Sequence, residues 1–195
     1  MTDPRILSDA LTRFSFATHI DPRHCTLHSR RLMLSLSHVI EDVAASVSGT
    51  LLIAAFQRLS LVRPQLPRYE RLVPDLTHTY LLGLPDLELP AFPQTTIIPI
   101  ESSWPLMHEW VVLASGVNCC AGLFARDSDQ AQPDRRTQQF QGLWTTDPLI
   151  VDTAIQAFHT ALGWPVPSIE HDAHALYQTT RRLQHELASR VRSTR

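Results

Sequence analysis

Apolar positions follow two rhythms along the 195-residue chain. Leu32, Leu36, Val39, Ile40, Val43 and Val47 recur every three or four residues, which predicts an amphipathic helix over residues 27–47. Gly49 follows it where a C-cap glycine belongs. The second rhythm is the short unbroken apolar run, the mark of a strand covered on both faces. TLLIAAF (50–56), TYLLGL (79–84), WVVLAS (110–115), CCAGLFAR (119–126) and FQGLWTT (140–146) are such runs. GVN between the third and fourth reads as a hairpin turn. Four prolines in PDLELPAFPQTTIIP leave room only for a loop and a short strand around Ile97 and Ile98.

Punctuation sets the remaining elements. Asp3-Pro4 opens a short helix running to about Phe16, and ATHIDPRHC is a turn. Pro64 and Pro67 hold back a helix until about Arg68, and Pro74 ends it. Ser103 is expected to cap one helical turn with Pro105 near its start. DSDQAQPDRRTQQ reads as a polar loop. Asp147, Pro148 and Gly163 mark the cap, first residue and stop of another helix. After a WPVP hinge, Ser168 to about Arg192 forms a last helix. Ile169, Ala173, Leu176, Thr180, Leu183 and Leu187 give it a short heptad seam, with an acidic start and a basic end. This order predicts an α/β domain with a mixed sheet of five to six strands, parallel early and antiparallel late, plus a long C-terminal helix. Three segments follow: 1–26, 27–163 and 164–195.

At 44% hydrophobic residues the chain can bury one sizeable core, and its net charge of −2 argues against a nucleic-acid backbone as partner. All 17 basic residues are arginine, which compositional bias explains more simply than a need for planar cations. The N-terminus lacks the pattern of a secretory signal, and no apolar run reaches the ~18–20 residues of a membrane span. A cytoplasmic setting with reduced thiols is therefore expected for Cys25, Cys119 and Cys120.

Motifs with known chemistry are mostly missing. The six glycines form no phosphate-binding loop, there is no G-x-S-x-G elbow, and His108-Glu109 lacks the second histidine of a metalloprotease helix. DSDQAQPD lacks the central glycine and closing glutamate of a calcium loop. His24, Cys25 and His28, with His19 nearby, could share a soft metal if they lie on a helix, and His171 and His174 have the same spacing; neither group is a complete set. Cys119 and Cys120 read as small strand hydrophobes rather than chromophore or redox thiols. No catalytic residue, metal or cofactor is expected.

One segment stands out. FQRLSLVRPQLPRYERL (56–72) packs four arginines and two prolines directly after a buried strand. Ligands of open α/β sheets sit outside the carboxyl ends of strands. Gln57, Arg58 and Ser60 are expected there, with Arg68 and Tyr69 opening the next helix, able to hold a carboxylate, a phosphate or a partner's acidic side chain. In FQGLWTTDP, Gly142 permits close backbone approach, and Trp144 offers a flat wall beside Asp147.

These two segments, with TYLLGLPD and EWVVLAS between them, resemble the DICT domain over roughly Leu27 to Gly163. Gln57, Ser60, Arg68, Tyr69, Gly142, Trp144 and Asp147 stand at its motif positions. The resemblance implies a sensory module, found in cyanobacteria and other prokaryotes beside cyclic-dinucleotide and two-component signalling domains, with a suggested role in light response. No output domain is recognisable here, so a signalling or regulatory protein partner is expected, with the C-terminal helix as handle for docking or for a homodimer. The expected function is a non-enzymatic sensory domain binding a small ligand or partner. The alternative is an interaction or assembly module with no small-molecule site.

Overall fold

In the computed structural model, which describes residues 9–128 and 138–192, the described residues form one sheet of seven strands. They are β1 (Thr26–Ser29), β2 (Leu51–Arg58), β3 (His78–Leu84), β4 (Thr95–Pro99), β5 (Glu109–Gly116), β6 (Cys119–Asp127) and β7 (Gln139–Thr145). Their spatial order is β1-β7-β6-β5-β2-β3-β4. β2, β3 and β4 are mutually parallel, whereas β5, β6, β7 and β1 continue the sheet antiparallel. The expected division into a parallel early part and an antiparallel late part is what the chain adopts.

The helices are α1 (Asp9–Thr12), α2 (Arg30–Ala45), α3 (Leu66–Leu72), α4 (Pro148–Leu162) and α5 (Ala173–Arg192). Strand alternation divides the core between two faces. Leu52, Ala54, Val112, Cys119 and Leu123 join Val39 and Val43 of α2, Tyr69 of α3, and Leu183 and Leu187 of α5. Ile53, Leu113, Cys120 and Phe124 meet Leu11, Phe16 and the α4 residues Val151, Ile155 and Phe158 on the other face. Both faces are therefore covered, which is why the strands read as unbroken apolar runs. No helix among the described residues is long and apolar enough to cross a membrane.

Local signals placed α4 well. Asp147 accepts a hydrogen bond from the Leu149 amide at 2.9 Å, Pro148 is the first helical residue, and Gly163 stops the helix in the left-handed region at φ 68°. Elsewhere the structure corrects the reading. Residues 27–29, expected as the start of α2, belong instead to an edge strand paired with β7, and Ser29 caps the helix by accepting from the Leu32 amide. That strand is the seventh, beyond the five to six expected. α3 begins at Leu66 because Pro67 fits its first turn, and two 3-10 turns, Leu59–Leu61 and Arg63–Gln65, fill the preceding stretch. The Pro105–His108 turn is also 3-10, with Trp104 rather than Ser103 at its N-cap. α5 starts at Ala173, five residues after Ser168. The opening of the N-terminal helix at Asp3-Pro4 and most of the 127–139 loop lie outside the described residues.

Candidate functional site

Beyond the Ala55–Val111 pair the ladder between β2 and β5 stops, and the two strands part at the carboxyl end of β2. A cavity of about 230 Å³ opens there, lined by Arg30 and Leu34 of α2, Phe56 and Gln57 of β2, Gln65, and Trp110 of β5. The Arg30 guanidinium lies 5.2 Å from the centre of the Trp110 ring, within cation–π range. Trp110 Nε1 donates to Ser37 Oγ at 2.8 Å, and that hydroxyl donates to the Met33 carbonyl at 3.0 Å, so the indole is fixed from behind. A narrower crevice continues under α2 to Ser37, His38 and Glu41.

Behind this crevice is a chain of charges. Glu41 is buried, 3% exposed, and accepts from Arg68 Nε at 3.0 Å and from the Tyr69 hydroxyl at 2.8 Å. Arg68 also donates to Asp42 Oδ1 at 2.6 Å and to the His38 carbonyl at 2.8 Å. The second oxygen of Asp42 accepts from Arg190 of α5 at 2.6 Å. Burial pushes the Glu41 carboxyl above its usual range, although Arg68 and Tyr69 pull it back. Burial, and then the Glu41 charge, hold the Tyr69 phenol well above its ordinary value. His38 donates from Nε2 to Gln65 Oε1 at 3.1 Å and is held low by burial and by Arg68.

The residues singled out from sequence divide into four groups. Gln57 lines the cavity. Arg58 and Ser60 turn instead to Asp86 after β3: Ser60 donates its amide and hydroxyl at 2.9 and 2.7 Å, and Arg58 lies 3.6 Å away. Arg68 and Tyr69 form the network behind the crevice. Trp144 packs half-buried against the α2-side core, and Asp147 caps α4, so neither joins the cavity. Close approach at Gly142 is real, since a Cβ there would collide with the Phe124 carbonyl and Ala125.

Trp110, Arg30, Leu34 and Glu41 were not anticipated. Ser37 and Glu41 carried a signal, being polar positions four apart inside the apolar stripe of α2. His24, Cys25 and His28 do not share a helix face: the first ends a 3-10 turn and the last lies in β1. Cys119 and Cys120 are both buried, and burial pushes the Cys119 thiol up to about 12 and Cys120 higher still, the opposite of what a reactive thiolate needs. Among the described residues, the one group of His, Cys and carboxylate side chains gathered closely enough to share a metal ion is Cys120, Asp152 and His171.

No curated protein and no solved structure matches the chain. A family model does: the sensory domain in diguanylate cyclases and two-component systems, DICT, matches residues 10–128, more than half of the chain. The matched span contains β1 to β6, the cavity, and the network from Glu41 to Tyr69. It ends before β7, so Trp144 and Asp147 lie outside it, as do α4 and α5. The chain belongs to the DICT family of sensory domains.

Proposed function

We propose that the protein is a non-enzymatic sensory module of a signalling system that takes a small, flat, largely apolar ligand into the cavity at the end of β2. The observation that carries this reading is the cavity's chemistry. Phe56, Leu34 and the Trp110 face offer apolar contact, and Gln57, Gln65 and Arg30 supply a few convergent polar groups at its rim. Arg30 suits a ligand with an anionic or carbonyl edge. Arg68, Tyr69 and Glu41 back the site rather than touch the ligand, while Arg58 and Ser60 hold the neighbouring loop.

Output runs to a regulatory protein partner through α5. Asp42 bridges Arg68 and Arg190, so a shift of α2 on ligand binding changes how α5 is held. Tyr177, 61% exposed, lies on the outer side of that helix as a contact for the partner. Cys25, Cys119 and Cys120 are free of disulfides, which suits a cytoplasmic setting.

The experiment is native mass spectrometry on protein purified gently from its own host, beside Leu34→Trp. Leu34 is 38% exposed, so the larger side chain fills the cavity mouth without entering the core. A mass excess carried by the wild type, lost on denaturation and missing from the folded variant, is the expected result. A bare mass for both, together with unaltered capture of a protein partner, would favour an interaction module with no small-molecule site.

A further inference from the structure

On the opposite face and at the opposite end of the sheet, three elements bring together side chains that the cavity does not use. Cys120 projects from β6, Asp152 from α4, and His171 from the segment leading into α5. Their ligand atoms all lie within 4.8 Å of one another. The geometry points to a binding site for one thiolate-preferring divalent metal ion of the zinc class at Cys120, Asp152 and His171.

The outer hydrogen bonds of such a site are already present. His171 Nδ1 is 2.9 Å from the Gly116 carbonyl, which can only accept, so Nδ1 carries a hydrogen and Nε2 is the atom turned to the cluster. Ser115, directly opposite Cys120 across the β5–β6 ladder, donates its hydroxyl to Asp152 Oδ1 at 2.7 Å. That orients the carboxylate and leaves Oδ2 facing His171 Nε2, 2.7 Å away. Asp152 and His171 thus each have one polar atom tied to the scaffold and one turned to the cluster. Histidine ligands donating to a backbone carbonyl and hydrogen-bonded carboxylate ligands are the usual second sphere of protein zinc.

Metal chemistry fits the dimensions. A tetrahedral ion with bonds of about 2.0–2.3 Å spaces its ligand atoms about 3.3–3.7 Å apart. The His171–Asp152 pair therefore opens by about 1 Å when the ion enters, and the longest separation closes by a similar amount. His171 Nε2 and Asp152 Oδ2 now share a hydrogen bond at 2.7 Å, and the ion takes the place of the hydrogen between them. The Cys120 thiol gives up its proton to bind as thiolate, and the displaced protons leave to solvent. A thiolate with one imidazole and one carboxylate selects zinc or cobalt over magnesium and calcium. The fourth position goes to water: the Asp152 and His171 side chains keep 20% and 13% exposure. Bound metal would join the β5–β6 hairpin, α4 and the approach to α5.

The test is a cobalt titration of the full chain after removal of metal by a chelator, followed by zinc. One equivalent of Co(II) should produce a thiolate-to-cobalt charge-transfer band and tetrahedral d–d bands, both removed by one equivalent of Zn(II). Cys119→Ser should leave the bands unchanged, because Cys119 faces the α2 side of the sheet. Cys120→Ser should abolish the charge-transfer band. Asp152→Asn, which preserves shape, should weaken Co(II) binding at least about tenfold, and it decides the matter if the cysteine variant fails to fold. Absence of the band in the wild type, a band that survives Cys120→Ser, or full affinity in folded Asp152→Asn overturns the proposal.

Discussion

The molecule carries two polar clusters on its two faces, and they are built to different rules. Under α2, Glu41 and Asp42 meet Arg68, Tyr69 and Arg190, and every carboxylate oxygen accepts from a donor. Behind the β5–β6 hairpin, Asp152 Oδ2 and His171 Nε2 meet at 2.7 Å and Cys120 Sγ lies within 4.8 Å of both, with no arginine in the group. Both clusters are largely shielded from water, so burial does not tell them apart. The presence of a fixed guanidinium does. A network closed by arginine rigidifies the scaffold, while thiol, imidazole and carboxylate gathered without one are capacity for a ligand.

The most severe way to probe this contrast is Arg68→Ala. It strips the cation from Glu41, which is 3% exposed, and from Asp42. An uncompensated buried charge costs about 3–5 kcal/mol, so denaturant unfolding should shift by that order. Asp152→Asn in metal-free protein should cost less, about 1 kcal/mol, because the amide oxygen still accepts from Ser115 and only the charge facing His171 is lost. Equal losses for the two variants would erase the distinction between closed scaffold and open site.

Tyr69→Phe sharpens the same point with a single atom. The ring stays in the core while the Glu41 carboxylate loses its hydroxyl donor at 2.8 Å. Removing a hydrogen bond to a buried charged group should cost about 2 kcal/mol in denaturant unfolding. A neutral outcome would mean that Arg68 alone satisfies Glu41.

How much of this was legible in the sequence depended on distance along the chain. α4 was readable to the residue because Asp147, Pro148 and Gly163 act within a turn of where they stand. β1 was missed because four residues that pair with β7 over a hundred positions later carry no periodicity of their own, and they abut the helical rhythm of α2. The cavity's place at the end of β2 followed from strand chemistry, and Gln57 with it. Trp110 did not, since it reaches the cavity only through the antiparallel pairing of β2 with β5. Arg68 was visible as an arginine at a helix start. Its partners Glu41 and Asp42, more than twenty residues earlier, were hidden until α3 packed on α2. Cys120, Asp152 and His171 each looked unexceptional, as any site assembled from three elements must.

His159 offers a finer probe on the α4 face of the sheet. Its Nδ1 donates to the Pro165 carbonyl at 2.8 Å, while Nε2 is buried with no partner beside Tyr80, Phe158 and Trp164. Burial holds its pKa below the usual 6.5. The unfolded chain therefore binds this proton first as pH falls, and the stability tied to neutral His159 is full above 6.5 and lost through the lower folded value. Glu41 works the other way: its raised carboxyl favours the folded state below the ordinary 4.5 and gives that up as pH rises through the folded value. His159→Phe should be the less stable protein near neutrality by about 1 kcal/mol, having lost the Pro165 bond, and the gap should narrow as pH is lowered toward about 5. Thermal melts of both proteins across that range check it; a constant gap would mean that His159 does not titrate with folding.

The smallest expected effect on stability belongs to Arg58, and it is the most informative about function. Its side chain is 43% exposed and its nearest carboxylate, on Asp86, is 3.6 Å away, while Ser60 holds Asp86 with two shorter bonds. An exposed pair of this length is worth less than about 0.5 kcal/mol, so Arg58→Ala should unfold within that margin of the wild type. It follows Gln57, a wall of the cavity, and its own side chain turns toward Asp86 rather than into the core. Arg68→Ala confounds binding with folding, but Arg58→Ala does not. A variant that melts with the wild type yet loses the native mass excess or captures less partner would put recognition at this rim. One that melts normally and retains both would confine recognition to the cavity's interior, behind Arg30 and Trp110.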